Sequence, residues 1–162
     1  RVWRLFVRRA YRITKRQYAQ HAFDGEGAKL AGGRWNSPGL RAVYLSSTLS
    51  LAAIELFVHL GEDAAALDFV YFEVRIPANV PMTRLALPPR GWRAEPPSEV
   101  SMHVGDRWLR ARRYALLEVP SALIPSETNL ILNPTHEAAS KLRVPAPSAF
   151  RSIRACGNEG GC

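Results

Sequence analysis

The order of apolar and polar positions predicts short strands and helices that are mixed along the chain. Residues 68–76 alternate in polarity and are rich in aromatic and β-branched side chains, a pattern typical of a strand. Residues 49–60 are apolar on nearly every side and predict a largely buried helix. Ser46 or Ser47 is expected to cap that helix, and Gly61 to end it.

The other elements are shorter, and glycine, proline and serine mark their boundaries. Further strands are predicted at residues 2–7, 42–45, 115–119 and 129–132. Helical structure is predicted at residues 14–23, at 99–113 after Ser98, and at 134–140 with Pro134 in the first position.

Two segments are predicted to be loops. Residues 24–41 contain too much glycine for the interior of a helix or strand, and residues 77–97 are rich in proline and irregular. Because strands and helices follow each other without a regular βαβ rhythm, the expected fold class is α+β. We expect a single compact domain with a mixed, mainly antiparallel sheet and flanking helices.

Length and composition indicate one globular domain. The chain has 162 residues, of which 47% are hydrophobic, enough to bury a core. Apolar runs are too short for a transmembrane helix, and arginines interrupt the N-terminal stretch, so neither a membrane span nor a signal peptide is expected. The two cysteines, Cys156 and Cys162, lie in the glycine-rich end, which favours a reducing cytoplasm. We expect a domain over residues 1–155 and a frayed tail over 156–162.

The net charge is +8, which leaves three interpretations open. It suits an ordinary basic surface, binding of nucleic acid, or attraction to an acidic ligand or partner. The basic residues are scattered, and neither helix-turn-helix nor zinc-finger spacing is present. Four distant histidines and the lack of a Cys-x-x-Cys motif argue against a metal site.

The loop at residues 32–39, Gly-Gly-Arg-Trp-Asn-Ser-Pro-Gly, is the most informative segment. Its glycines let the backbone approach a ligand closely, and Arg34 offers a two-pronged guanidinium for a phosphate or carboxylate. Trp35 offers a flat apolar face, and Asn36 and Ser37 offer directional hydrogen bonds. An equally weighted alternative is a surface loop whose Trp35 fills the core.

Two further side chains are candidates for chemistry. Glu55 lies within the apolar helix, where a carboxylate is costly unless it is paired or opens onto a cleft. Glu55 is therefore expected either to act on a positive charge that develops on a bound substrate, or to form an ion pair with His59 or an arginine. Ser121 lies where a strand should end, which is a common place for a site residue and also for an ordinary turn.

Taken together and in order, these segments resemble the RES-domain toxins of bacterial toxin–antitoxin systems. The similarity extends from about residue 5 to about residue 150. The matching segments are residues 11–12, 24–28, 32–39, 42–46, 51–55, 58–60, 105–109, 119–121 and 133–136.

The resemblance implies a fold similar to ADP-ribosyltransferases and an enzyme that acts on NAD+. Members of the family deplete NAD+ and arrest growth by phosphorolysis or hydrolysis of the nicotinamide–ribose bond, and some are described as ADP-ribosylating a protein. NAD+ is then the substrate, inorganic phosphate an optional co-substrate, and no metal is expected.

The resemblance also assigns site residues. The residues that name the family correspond to Arg34, Glu55 and Ser121, and Arg12 and Tyr44 fall at positions used in the same pocket. Arg34, Glu55, Ser121 and Tyr44 are the expected catalytic residues. The arginines are expected to clamp the pyrophosphate or, in the case of either one, to bind inorganic phosphate, and Tyr44 to stack on nicotinamide or close the pocket wall. The residues expected to contact NAD+ are Arg12, Arg34, Trp35, Asn36, Tyr44, Ser121 and Asn133. The acidic residue that usually marks the family's last strand is missing from residues 149–154.

The implied partner is an Xre-type antitoxin with a helix-turn-helix-like DNA-binding domain, together with a homodimer inside the toxin–antitoxin complex. Neither direct nucleic-acid binding by this chain nor membrane association is expected, and the expected location is the cytoplasm. Three alternatives stay open: a nucleic-acid-binding module, a phosphate-binding enzyme of another class, and an interaction protein in which Arg34 and Glu55 form only a structural pair.

Overall fold

Seven strands pair into one sheet in the computed structural model, which describes residues 8–60 and 68–151. The strands are β1 (Arg8–Lys15), β2 (Val43–Ser46), β3 (Phe69–Ile76), β4 (Met82–Arg84), β5 (Leu116–Pro120), β6 (Thr128–Leu132) and β7 (Ser148–Phe150). Their order across the sheet is β4-β5-β6-β2-β1-β3-β7. Only β4 and β5 run parallel among these pairs, so the predicted α+β class and mainly antiparallel sheet are confirmed.

Three helices and two 3-10 helices accompany the sheet in the described part of the chain. They are α1 (Glu26–Ala31), α2 (Leu49–Leu60) and α3 (Glu99–Ala111), with 3-10 helices at Arg16–His21 and Glu137–Lys141. The strand predicted at residues 2–7, the helix terminator Gly61, and the tail with both cysteines lie outside the described residues.

Successive residues of a strand point to opposite faces, so the sheet buries two apolar layers. On the face that we call the front, Leu117 and Ile131 pack with Leu109 of α3 and with Trp35. The opposite face, called the back, carries a larger cluster that includes Val43, Leu45, Val74, Leu116 and Leu130. Only side chains on the same face of the sheet can therefore contact one another directly.

The glycine-rich segment 24–41 is not entirely a loop, contrary to the prediction. It contains α1, which starts after Gly25 (φ 74°) and ends before Gly32 (φ 72°). Both glycines have positive φ angles, which residues with a side chain rarely adopt, and they turn the chain at the two ends of the helix. Gly27 lies inside the helix with ordinary backbone angles, and nothing lies within 4 Å of the place where a Cβ would be.

Two expectations about α2 were wrong. Thr48, rather than Ser46 or Ser47, caps the helix, since its Oγ1 accepts a hydrogen bond from Leu51 N at 3.0 Å. Ser46 is the last residue of β2 and is buried. The helix is also only partly buried, because it covers the sheet with one side, and Ile54 and Val58 remain 43% and 59% exposed.

Strands β1 and β4 were not predicted within the described residues, and β4 lies inside residues 77–97, which were wrongly predicted to be irregular throughout. Several other elements differ from the predictions only at their ends. The strands predicted at 42–45, 68–76, 115–119 and 129–132 are present with boundaries shifted by one residue or less. Helix α3 begins at Glu99 as predicted, with Ser98 as its N-cap, and ends two residues before the predicted end. Residues 14–23 instead divide between the end of β1 and a 3-10 helix. His136, not Pro134, precedes the last 3-10 helix and accepts a bond from Ala138 N.

Candidate functional site

The loop at residues 32–39 is docked onto α3. Gly105 of α3 touches the backbone of Trp35 so closely that a Cβ there would lie 1.8 Å from the Trp35 carbonyl oxygen. The next residue, Asp106, accepts a hydrogen bond from Ser37 N at 2.8 Å. The Trp35 ring is 2% exposed and stacks on Trp92 with 5.8 Å between centroids. Trp35 therefore fills the core, which was the alternative that the sequence left open.

Two asparagines among the predicted ligand-binding residues use their hydrogen-bonding groups within the fold. Asn36 is fully buried, and its amide donates to the carbonyls of Ala28, Ser37 and Leu40. Asn133 donates to Leu109 O at 3.0 Å. It also accepts bonds from the backbone and hydroxyl of Thr135. These contacts give both residues a role in shaping the loops.

Tyr44 joins β2 to the loop. Its hydroxyl donates to Asn36 Oδ1 at 2.7 Å and accepts from Trp35 N at 3.0 Å. Burial raises the pKa of Tyr44 above its ordinary value, with the bond from Trp35 acting in the opposite direction. The phenol is therefore neutral and structural at its hydroxyl end, while its ring borders the front-face cluster.

Arg34 binds a neighbouring segment of its own chain. Its Nη1 donates to Trp92 O at 2.7 Å and to Ala94 O at 2.9 Å. Its Nη2 pairs with the Glu95 carboxylate at 3.1 Å. The Arg34 side chain is 16% exposed, whereas that of Glu95 is 73% exposed. The guanidinium thus holds residues 92–95 in place, and its Nη2 group is already bonded to the exposed Glu95 carboxylate.

Glu55 and Ser121 come together in the structure, and Asn129 joins them. Ser121 Oγ donates to Glu55 Oε1 at 2.9 Å, and Asn129 Nδ2 donates to the same oxygen at 2.6 Å. Both bonds use Oε1, so they orient the carboxylate without occupying Oε2. No ion pair joins Glu55 to a charged group within the described residues, and the ion pair offered as an alternative is not seen there.

The surrounding turn fixes this cluster. Ser121 follows β5 directly and accepts bonds from the backbone N–H groups of Leu123 and Ile124, both at 3.2 Å. Its proton is therefore directed to Glu55. Thr48, at the start of α2, donates to the Glu127 carboxylate at 2.9 Å. The beginning of α2 is thus tied to the turn between β5 and β6, which sets the height of Glu55 above Asn129.

Strand register shows which predicted residues share a face. Tyr11, Ser46 and Asn129 form a row across β1, β2 and β6. Tyr44 lies two residues from Ser46, about 7 Å along the same face. Tyr44 and the Glu55 cluster therefore lie on the same side of the sheet.

Arg12 lies on the opposite face of the sheet from this row, because it follows Tyr11 directly and pairs with Phe72 of the back-face cluster. Its Nη1 donates to Tyr44 O at 3.0 Å, and its Nε has no hydrogen-bond partner among the described residues. Burial lowers the pKa of Arg12, and the charge of Asp24 partly opposes this. Strand β1 pairs with β2 at a single position, Tyr11 opposite Ser46, and the guanidinium reaches this weakly paired junction.

The Arg34 and Glu55 groups are linked through residues 92–95. Arg93 Nε donates to Ala122 O at 3.1 Å, one residue beyond Ser121. The segment that Arg34 holds therefore borders the turn that holds Glu55. The sequence did not single out Asn129, which appeared only as the first residue of a predicted strand, because its neighbours across the sheet decide its importance.

A cavity of about 420 Å³ lies at the other end of β2 and β6, away from Glu55. Its basic lining consists of Lys29, Arg41, Arg110 and Arg112. Glu26 already pairs with Lys29 and Arg41, and cations at the end of α3 suit the negative pole of that helix. These charges have a structural explanation, and we do not assign a site to this cavity.

Within residues 8–60 and 68–151, no group of three or more histidine, cysteine, aspartate or glutamate side chains is arranged to hold a metal ion. In the same part of the chain, none of the helices has the length and apolar character needed to span a bilayer.

Comparisons with known proteins agree on one family. The chain is 41% identical over 125 residues to "Toxin Res" of Photorhabdus laumondii, covering 76% of this chain and 80% of that protein. It is 40% identical over 132 residues to "Prs ADP-ribosylating toxin" of a Sphingobium species, covering 79% and 82%.

A solved structure has the same fold. A chain of the crystal structure of the M. tuberculosis MbcT–MbcA toxin–antitoxin complex aligns with a TM-score of 0.75 and 17% identity, covering 90% of this chain and 85% of that one. The RES domain model matches residues 9–153. The extent of that match and the identity to the two toxins show that the chain belongs to the RES domain family.

Proposed function

We propose that the protein is the toxin of a toxin–antitoxin system and that it degrades NAD+ by breaking the bond between nicotinamide and ribose. The observation that carries the proposal is the Glu55 carboxylate, held through Oε1 by Ser121 and Asn129 while Oε2 takes no part in those bonds. The names of the similar toxins support the same class of chemistry.

The chemistry of the bond explains why such a carboxylate is needed. Loss of nicotinamide leaves positive charge on the ribose ring in an oxocarbenium-like transition state. A fixed carboxylate oxygen can stabilise that charge or hold a ribose hydroxyl, and it is most effective when it does not have to reorganise. We give Ser121 the role of orienting Glu55 and not that of nucleophile, since no histidine is bonded to it among the described residues.

The group that attacks the ribose carbon decides the product. Phosphate gives ADP-ribose-1″-phosphate, and water gives ADP-ribose, with nicotinamide released in both cases. A protein side chain would give an ADP-ribosylated protein. The Sphingobium relative is named for ADP-ribosylation, which makes protein modification the second candidate.

The other residues near Glu55 have supporting roles in this proposal. The Arg34 Nη2 group, which now pairs with the exposed Glu95 carboxylate, can bind a pyrophosphate oxygen in place of that carboxylate. The Tyr44 ring can form a wall for nicotinamide. Arg12 approaches this side of the sheet only at the junction of β1 and β2, where its Nε is buried and has no hydrogen-bond partner among the described residues.

The proposed partner is an antitoxin. The M. tuberculosis structure with the same fold is described as a toxin–antitoxin complex. The net charge of +8 suits docking of an acidic segment of such a partner. An Xre-type antitoxin, a homodimer within the complex and action in the cytoplasm belong to this proposal.

The direct test is to incubate the purified protein with NAD+, with and without inorganic phosphate, and to identify the products. Nicotinamide release with ADP-ribose-1″-phosphate would establish phosphorolysis, and ADP-ribose would establish hydrolysis. Modified protein in the presence of candidate targets would favour the second candidate. Salt-sensitive binding to DNA or RNA without NAD+ loss would overturn the proposal.

The Glu55→Gln variant tests the carboxylate itself. Gln has the same shape but no charge, so we expect NAD+ loss to slow by about 100-fold or more with little change in the unfolding midpoint. Glu137→Gln, at an exposed carboxylate of the last 3-10 helix, is the matched control and should retain full activity. Normal turnover by Glu55→Gln would refute the role given to Glu55.

A further inference from the structure

The structure assigns Asn129 as the positioning residue of the Glu55 carboxylate. The assignment rests on the proposed function and extends it to a side chain that holds Glu55 in place. Asn129 is the first side chain of β6 after Thr128, and it lies in the row with Ser46 and Tyr11 beneath Glu55. Its Nδ2 is 2.6 Å from Glu55 Oε1.

The orientation of the Asn129 amide follows from this contact. The amide nitrogen donates to Glu55, and Oδ1 is buried without a hydrogen-bond partner among the described residues. A buried unpaired carbonyl is unfavourable, so a purely structural asparagine should avoid it. Turning the amide around would place Oδ1 against Oε1, acceptor against acceptor. The Asn129 amide is therefore oriented for its hydrogen bond to Glu55, although this orientation leaves its own carbonyl oxygen without a partner.

Ser121 shows the same direction of bonding. Its Oγ accepts from Leu123 N and Ile124 N, so the hydroxyl proton remains for Glu55. Glu55 Oε1 thus receives two donors, Ser121 from the residue directly after β5 and Asn129 from β6, at the two ends of the same turn. One donor alone would leave the carboxylate free to rotate about its Cγ–Cδ bond, whereas two donors at different angles fix the plane of the carboxylate. The direction of Oε2 is then fixed, although Oε2 is bonded to neither Ser121 nor Asn129.

Comparison with Asn36 and Asn133 supports a positioning role. Both of those asparagines have a partner for the amide nitrogen and for the carbonyl oxygen, as expected for residues that stabilise loops. Asn129 differs in leaving its carbonyl unpaired next to the proposed reacting group. The contrast separates a residue that stabilises the fold from one that orients another side chain.

The test is the Asn129→Leu variant, which has the same branching and the same number of side-chain heavy atoms, a larger volume and no hydrogen-bonding group. We expect kcat for NAD+ loss to fall by at least about 10-fold, because small displacements of a reacting group have large effects, while KM changes less than threefold. Since the substitution also removes the unpaired carbonyl, Tm should stay within about 4 °C of that of the unaltered protein. Asn129→Asp, which sets a second carboxylate against Glu55, should lower kcat further.

Asn79→Leu, at an exposed asparagine in the turn between β3 and β4, is the matched control and should leave kcat unchanged. An Asn129→Leu protein with normal kcat would overturn the assignment and leave the proposed function intact. A fall in Tm of more than about 10 °C together with the loss of kcat would also overturn it, in favour of a structural role. Absence of NAD+ loss from the unaltered protein would overturn the proposed function and this assignment with it.

Discussion

At the scale of single residues, the candidate site residues differ in whether their hydrogen-bonding atoms are already bonded within the fold. Asn36 and the Tyr44 hydroxyl are fully engaged within the fold, although their residue types suggested ligand contacts. Glu55 is held at one oxygen only. Arg34 is intermediate, since two of its three contacts are to backbone carbonyls and the third is to an exposed carboxylate.

Arg34→Lys tests how much of this arginine is structural. An ammonium cannot reproduce the planar arrangement that reaches Trp92 O, Ala94 O and Glu95 together. We expect the free energy of unfolding to fall by about 1–2 kcal/mol, measured by chemical denaturation. Arg90→Lys, on an exposed turn, is the control and should be neutral. An unchanged denaturation midpoint would contradict the structural contacts, and a raised KM for NAD+ would support the additional role as a pyrophosphate clamp.

At the scale of elements, helix α3 positions the loop at residues 32–39. Gly105 allows the loop backbone to approach the helix, and Asp106 fixes it through Ser37 N. The stacked rings of Trp35 and Trp92 then join the loop to the segment that Arg34 holds. The shape of the candidate site on this side therefore depends on a helix that contributes no residue to the proposed chemistry.

Gly105→Ala tests this docking. The added methyl would lie 1.8 Å from Trp35 O, a backbone atom that cannot move without displacing the whole loop. We expect a loss of stability of about 3 kcal/mol or more, measured as a shift in the denaturation midpoint. Gly27→Ala, in the open interior of α1, should be neutral or more stable by up to about 1 kcal/mol. Similar stabilities for the two variants would show that the close approach is not required.

At the scale of the whole molecule, an ion-pair network connects distant parts of the sheet. Glu118 of β5 is 7% exposed in its side chain and pairs with Arg84 of β4 at 2.6 Å and with Arg8 of β1 at 2.5 Å. Strands β6 and β2 separate β5 from β1 in the sheet, so the contact with Arg8 crosses the back face. The bond from Arg8 is the largest cause that lowers the pKa of Glu118, with Arg84 contributing and burial opposing.

The lowered pKa of Glu118 predicts a loss of stability in acid. A carboxyl group whose pKa is lower in the folded than in the unfolded protein stabilises the fold above its unfolded value, near 4.5, and this contribution disappears as the pH falls through the folded value. We expect Glu118→Gln to be less stable than the unaltered protein at pH 7, with a difference that shrinks below about pH 4. Denaturation midpoints from pH 7 to pH 3 measure this, with Glu137→Gln as the control. A difference that grows toward low pH would contradict the assignment.

Much of the fold could be predicted from local pattern. The strand at β3 and the capped helix α3 follow from alternation and from Ser98. The predictions failed where the local signal was ambiguous: glycine at the ends of α1 was taken for glycine throughout a loop, and the exposed side of α2 carries apolar side chains that suggested burial. In both cases neighbours outside the segment decided the outcome.

The sequence by itself determined the family and the α+β class, and it also pointed to Arg34, Glu55 and Ser121, on which the proposed site is based. These follow from residue types in a fixed order along the chain, which is information that a linear pattern contains. Only the tertiary structure decided that Asn129 lies under Glu55, that Arg12 projects from the other face of the sheet, and that Asn36 has no free group. Strand register, and whether each polar atom of a side chain finds a hydrogen-bond partner, depend on residues far apart in the chain. No local sequence pattern specifies which of these residues come into contact.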